Sequence, residues 1–233
     1  MTLIRRLTLL FCLFFQAFLG DFTAGLSLSQ NVMNRRDAIV SSIVMGLATT
    51  AGPPVTVANA AYVDPDTAKI TNTVYMNVEF GNTKGRIVMD LYGKAMPRVT
   101  ENFVNLCRNN QYAGTNFYRI ISDVTVQGGA IGDPTGKTGK SSFDNGKAFE
   151  PDNFDIRHNK EGLVSMARSY DGSVDSRFFI NTAPDAGWAD DRYAAFGIVT
   201  EGMDLVHQME KQKVQPPKNS PILPITIVSS GVL

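Results

Sequence analysis

The sequence predicts a mainly β fold, a closed antiparallel sheet capped by two helices. Three observations lead there. Short apolar segments, the first with clear period-two alternation, recur between Gly, Pro and Asp breaks from residue 74 onward. Helical periodicity is confined to one early and one late stretch. No internal repeat or low-complexity tract is visible. Many short strands with so few helices fit a sheet closed on itself rather than a parallel α/β layer.

The elements follow in order. Val74, Met76, Val78 and Phe80 share one face of a strand over 74–80, with Tyr75, Asn77 and Glu79 opposite. The turn 81–85 and a strand over 86–91 complete a hairpin. Pro97 opens the first helix, where its missing N–H costs nothing, and Val99, Phe103 and Leu106 form its apolar face. Strands are expected over 116–121, 125–128, 163–167, 177–181 and 194–199, then a helix over 203–211 and a last strand over 225–228. Residues 130–153 read as a long loop beside a groove. Residues 214–224, with four prolines, read as an irregular tail around the barrel.

Composition narrows the function. The 233 residues carry 22 basic and 22 acidic side chains, a formal net charge of zero, which excludes a polybasic nucleic-acid binder. The 43% apolar content excludes disorder over most of the chain, and two cysteines make no disulfide scaffold. Residues 1–60 differ from the rest, holding four basic and two acidic residues and leaving 18 and 20 for the remainder. Arg5-Arg6 precedes an apolar run over 7–19, too short to span roughly 30 Å of hydrocarbon but suited to a signal core. Asn34-Arg35-Arg36-Asp37, a second apolar run over 38–51 and Ala58-Asn59-Ala60 form a twin-arginine signal with a cleavage site. Two addresses in series resemble those of thylakoid-lumen proteins of plastids, with bacterial-type twin-arginine export or secretion as the alternative. The mature chain is expected to begin near Ala61, as one domain over 61–233 that is monomeric and does not span a membrane.

Several motifs are rejected. The Gly-rich run 128–141 lacks phosphate-loop spacing, because Ile131 and Pro134 stand where glycine is required. His158 and His207 have no Cys or carboxylate at ligand spacing, so neither metal binding nor Ser/His catalysis is expected, and no cofactor is implied. Cys107 reads as a buried small hydrophobe, and Asp190-Asp191 as a turn.

Four segments remain: Phe117-Tyr118-Arg119-Ile120-Ile121, Val126-Gln127-Gly128-Gly129, Gly162-Leu163-Val164-Ser165-Met166-Ala167 and Ser176-Arg177-Phe178-Phe179-Ile180. With Trp188, the segment Ala195-Phe196-Gly197-Ile198-Val199 and the helix motif beginning Pro97-Arg98-Val99, their order closely resembles the cyclophilin family of peptidyl-prolyl isomerases over about residues 74–233. The resemblance implies an eight-stranded antiparallel barrel closed by two helices, in keeping with the strand count. It implies proline-containing polypeptide substrates, with no cofactor or metal. By resemblance Arg119 is the catalytic donor and Gln127 holds its guanidinium. Phe179 is the floor of the proline pocket, Tyr193 a wall and Trp188 the rim associated with cyclosporin, while Tyr118, Val124, Thr125 and Ala167 complete the binding set.

Departures from the family pattern qualify this. Tyr118 stands where histidine is usual, and Val124-Thr125 where Phe-Met is usual, which removes an aromatic wall worth about 1–2 kcal/mol of apolar contact. Arg168 and Arg177 replace asparagine and glutamine and are expected to add positive charge favouring acidic residues beside the proline. Cyclosporin affinity is expected to be reduced, also because Ala189 replaces a leucine. The same departures support an alternative, a proline-segment binding module or chaperone with weak or no turnover. A lipocalin-type small-ligand barrel is disfavoured by the Gly-rich segment and the two capping helices.

Overall fold

The computed structural model describes residues 62–233; the bipartite leader read over residues 1–60 lies outside the described residues. The strands are β1 (Asn72–Phe80), β2 (Thr83–Leu91), β3 (Phe117–Ile121), β4 (Thr125–Gly128), β5 (Leu163–Arg168), β6 (Val174–Asn181), β7 (Ala195–Glu201), β8 (Val214–Gln215), β9 (Ser220–Pro221) and β10 (Thr226–Val232). Two helices, α1 (Pro97–Arg108) and α2 (Met203–Glu210), accompany them. Eight strands form one antiparallel sheet in the order β10-β1-β2-β7-β5-β6-β4-β3. Its two ends meet: Asn116 bridges Thr226, and the Phe117 amide donates to the Ile225 carbonyl at 2.9 Å. The mainly β barrel with two helices is therefore as the sequence predicts.

Alternation places the core. Val74, Met76, Val78 and Phe80 point inward with Ile87, Met89 and Leu91 from the paired strand. Helix α1 lays Val99, Phe103 and Leu106 against them. The Phe103 ring stands 5.3 Å from Tyr112, 5.3 Å from Phe178 and 4.9 Å from Phe196, tying the helix to β6 and β7. The helix has no capping side chain of its own. Asp152, from the loop before β5, supplies both carboxylate oxygens to the amides of Arg98 (3.0 Å) and Val99 (2.9 Å). Cys107 is fully buried, and desolvation pushes its thiol far above the usual range, as suits a packing residue.

Four stretches differ from expectation. β2 begins at Thr83, inside the expected turn, and β10 runs four residues past the expected end to Val232. β6 starts at Val174, earlier than its apolar residues indicate, because the polar Asp175, Ser176 and Arg177 are buried beneath the loop over 131–141. The Ser176 hydroxyl accepts from the amides of Ile131 and Lys140, both at 3.2 Å. The proline-rich tail is not irregular throughout: β8 and β9 pair as a small hairpin, and the Asn219 carbonyl at its tip accepts from Ile120 of β3 at 2.9 Å. Among the described residues no helix is long and apolar enough to cross a membrane.

Candidate active site

Sheet register assembles the site. Arg119 on β3 pairs with Gln127 on β4, Gln127 with Phe179 on β6, and Phe179 with Ser165 on β5. Directly opposed residues of antiparallel strands share a face, so these four side chains form one row across four strands. The adjacent row, Ile120, Val126 and Ile180, belongs to the hydrophobic core. Phe179 is buried yet absent from that core cluster, because it lies on the outer face.

Rings from the β6–β7 connection cover Phe179. Trp188 stacks near it, centroids 6.2 Å apart and planes at 25°, and Tyr193 meets it edge-on at 5.3 Å. Trp188 and Tyr193 are themselves 5.6 Å apart. Trp188 sits in a single 3₁₀ turn, Gly187–Ala189, fixed by the residue that follows. The Asp190 carboxylate accepts from Arg157 Nη1 (2.8 Å), the His158 amide (2.8 Å) and His158 Nδ1 (3.0 Å), while His158 Nε2 meets Ser165 Oγ at 2.8 Å. Burial lowers the His158 pKa and outweighs the pull of Asp190, so the ring is neutral, with Nδ1–H donated to Asp190 and Nε2 accepting from the Ser165 hydroxyl. Burial opposes the charged carboxyl of Asp190, but hydrogen bonds from the His158 amide, Arg157 and the His158 ring hold its pKa below the usual range.

This Ser–His–Asp sequence is not a nucleophilic triad. Ser165 and His158 are completely buried, so no acyl group reaches the hydroxyl. The chain is a strut joining the Trp188 turn to β5. One expectation is thereby extended: Asp190, which does stand in a turn, also accepts three hydrogen bonds that anchor it. A sequence separation of 32 hid the His158–Asp190 contact.

A cleft of about 370 Å³ opens beside Arg119. Of the predicted set, Tyr118, Arg119, Gln127, Ala167 and Tyr193 line it; Phe179, Trp188, Val124 and Thr125 do not. Thr125 is wholly buried, paired with Ile121 and Asn181 two rows from Arg119, and Val124 is half-buried in the β3–β4 turn. Arg119 is exposed and, among the described residues, its guanidinium makes no hydrogen bond or ion pair, leaving its donors free for a ligand. Gln127 faces it in register, but no side-chain hydrogen bond joins the two, so the expected hold of Gln127 on the guanidinium is not made in this structure. Tyr118 is pushed up to about 12, chiefly by burial, with Arg177 pulling the other way, so its hydroxyl remains protonated.

Sequence reasoning also missed cleft residues. Lys137 comes from the long loop, and Pro217 and Lys218 from the tip of the β8–β9 hairpin. Arg177 lines the cleft but is no free charge. Its Nε and Nη2 engage Asp175 (3.0 and 2.8 Å), Nη1 donates to the carbonyls of Gly136 (3.2 Å) and Lys137 (2.5 Å), and Nη2 also reaches Ser169 Oγ (2.8 Å). The expectation that it adds charge to the groove is corrected: Asp175 neutralises it, and the guanidinium pins the loop to β6.

Comparison with known proteins fits this geometry. A family model described as cyclophilin type peptidyl-prolyl cis-trans isomerase/CLD matches residues 75–232. The chain belongs to that family. Peptidyl-prolyl cis-trans isomerase D of Saccharomyces cerevisiae is 38% identical over 182 residues, 75% of this chain and 79% of that protein. Peptidyl-prolyl cis-trans isomerase B of the same yeast is 38% identical over 153 residues, 64% of this chain and 74% of its own. A peptidyl-prolyl cis-trans isomerase of Encephalitozoon cuniculi is 40% identical over 141 residues, 59% and 78% respectively.

Proposed function

We propose that this chain accelerates cis–trans isomerisation of X–Pro amides in polypeptides and so assists folding, with Arg119 as the catalytic donor. The single observation that carries the assignment is an exposed guanidinium without a protein partner at the end of the Arg119–Gln127–Phe179 row, inside a cleft. Resonance in the amide sets a barrier of about 18–20 kcal/mol. Twisting the bond breaks that resonance and leaves a lone pair on the prolyl nitrogen. A positioned N–H donor binds the twisted state better than either planar state, and only such differential binding lowers the barrier. Gln127, opposite Arg119, lines the cleft and offers its amide to the peptide, and Tyr118, Ala167 and Tyr193 form the walls. Phe179 and Trp188 back the site from the neighbouring ring cluster. No step needs a nucleophile.

Arg119→Ala in the purified chain should lower kcat/KM for a proline-limited peptide by about 100- to 1,000-fold, the effect of losing one donor aimed at developing charge. Equal rates for the two proteins would sink the mechanism. A second reading, a proline-segment binder without useful turnover, rests on Tyr118, Val124 and Thr125, which stand where the family pattern has histidine and Phe-Met. NMR shifts on peptide addition without faster exchange would select it.

We also propose that residues 1–60 deliver the domain to the thylakoid lumen of a plastid, on the support of two signals in series, Arg5-Arg6 with the apolar run over 7–19 and Arg35-Arg36 with Ala58-Asn59-Ala60. A fluorescent fusion carrying Arg35→Lys and Arg36→Lys should be stranded before the last membrane. Cyclosporin should bind weakly, since Val124 and Ala189 offer less apolar contact than larger residues would.

A further inference from the structure

We propose that the Arg119 cleft selects X–Pro segments whose flanking residues carry carboxylates; the location rests on the isomerase reading, and the selectivity stands on its own observations. Lys137, Arg168 and Lys218 line the cleft with Arg119, all four exposed, and no carboxylate residue lines it. Among the described residues none of the four has an ion-pair partner. The fifth lining cation, Arg177, is cancelled by Asp175. This surplus lies on a region that otherwise leans acidic, with 18 basic against 20 acidic residues after residue 60.

Three separate elements place the cations. The Arg177 guanidinium holds the backbone carbonyl of Lys137. Arg168 ends β5 and donates through Nη1 to the Arg192 carbonyl at 3.0 Å, beside Tyr193. Lys218 stands on the hairpin tip that Asn219 ties to β3. Two carboxylates on flanking segments are engaged in their own turns. Asp133 accepts from Thr135 and Thr138, and Asp171 from Ser173, with Arg168 the smallest of the influences on Asp171. A concave rim of one sign attracts the opposite charge and repels its own.

Three peptides sharing one Ala-Pro bond, flanked by two glutamates, two alanines or two lysines, test the proposal on the full chain. An exposed charge pair contributes roughly a two- to five-fold factor, so the glutamate peptide should bind about ten-fold more tightly than the alanine peptide at low salt, and the lysine peptide more weakly. The advantage should shrink toward unity at 1 M salt, where the screening length is about 3 Å. Titration by tryptophan fluorescence reads affinity, and isomerisation rates of the same peptides read turnover. Lys137→Glu, Arg168→Glu and Lys218→Glu together should invert the order; if that protein fails to fold, Lys218→Glu alone should reduce the ratio. Equal affinities for the three peptides, or a preference insensitive to salt, would overturn the proposal. Graded binding without turnover would uphold it while sinking the isomerase reading.

Discussion

Replacing Arg177 by Met removes five hydrogen-bond donors at once, all of which are in use. Asp175, its side chain only 4% exposed, would retain a single bond, from the Arg177 backbone amide at 2.8 Å. A buried carboxylate stripped of its cation costs about 3–5 kcal/mol, several times the worth of a surface pair. For a domain of this size, each kcal/mol shifts the midpoint by about 2–4 °C, so the melt should fall by roughly 6–20 °C. Removing Asp175 as well, as Asp175→Leu with Arg177→Met, should recover most of the loss, because a packed apolar pair leaves no uncompensated charge. Thermal and denaturant unfolding of both single variants and the double variant form the cycle. A loss below about 1 kcal/mol in Arg177→Met, or a double variant as unstable as the two losses added, would show that the pair is not the clamp described.

Other outcomes follow from the same geometry. The His158 pKa is depressed in the folded protein, so at intermediate pH the unfolded chain binds more protons; stability should be full above about pH 6.5 and decline as pH falls toward the folded value. Denaturant midpoints between pH 8 and 5 would show this, and His158→Asn, less stable overall, should lose that slope; an unchanged slope would place the titration elsewhere. Gly136 has φ of 75°, and a β-carbon there would collide with the Tyr118 ring, so Gly136→Ala should cost about 1–3 kcal/mol and raise the peptide KM more than it lowers kcat. Phe103→Ala empties the centre of the ring cluster with Tyr112, Phe178 and Phe196 and should destabilise by about 3–5 kcal/mol in denaturant titrations, with little change in peptide affinity for the protein that remains folded.

Wherever a local rule governed, the sequence was readable. Alternation placed β1 within two residues, and Pro97 marked the first residue of α1. The β4 bounds agree in full, a four-residue strand held between the turn at Asp123 and the glycine pair Gly128-Gly129. What stayed hidden depends on contacts across long separations. Nothing in Val174-Asp175-Ser176 announces a buried strand until the loop over 131–141 is seen above it. The Asp190–His158–Ser165 strut joins three segments that look unrelated. The β8–β9 hairpin was masked by its own prolines, which cannot donate ladder bonds and so read as breakers. Of the candidate site, Arg119, Gln127, Tyr118, Ala167 and Tyr193 meet at one cleft, while Lys137 and Lys218 gave no local signal.

The row Arg119–Gln127–Phe179–Ser165 has a consequence for how the chain matures. Each member comes from a different strand, so none of the geometry exists in an isolated hairpin or loop. A slip of one residue in the four-residue β4 would send Gln127 inward and Val126 outward, leaving a folded-looking sheet with no site. Turnover can therefore return only when β4 has paired correctly on both sides. Regained isomerase activity during the chain's own refolding would be a direct clock for the closing of its sheet.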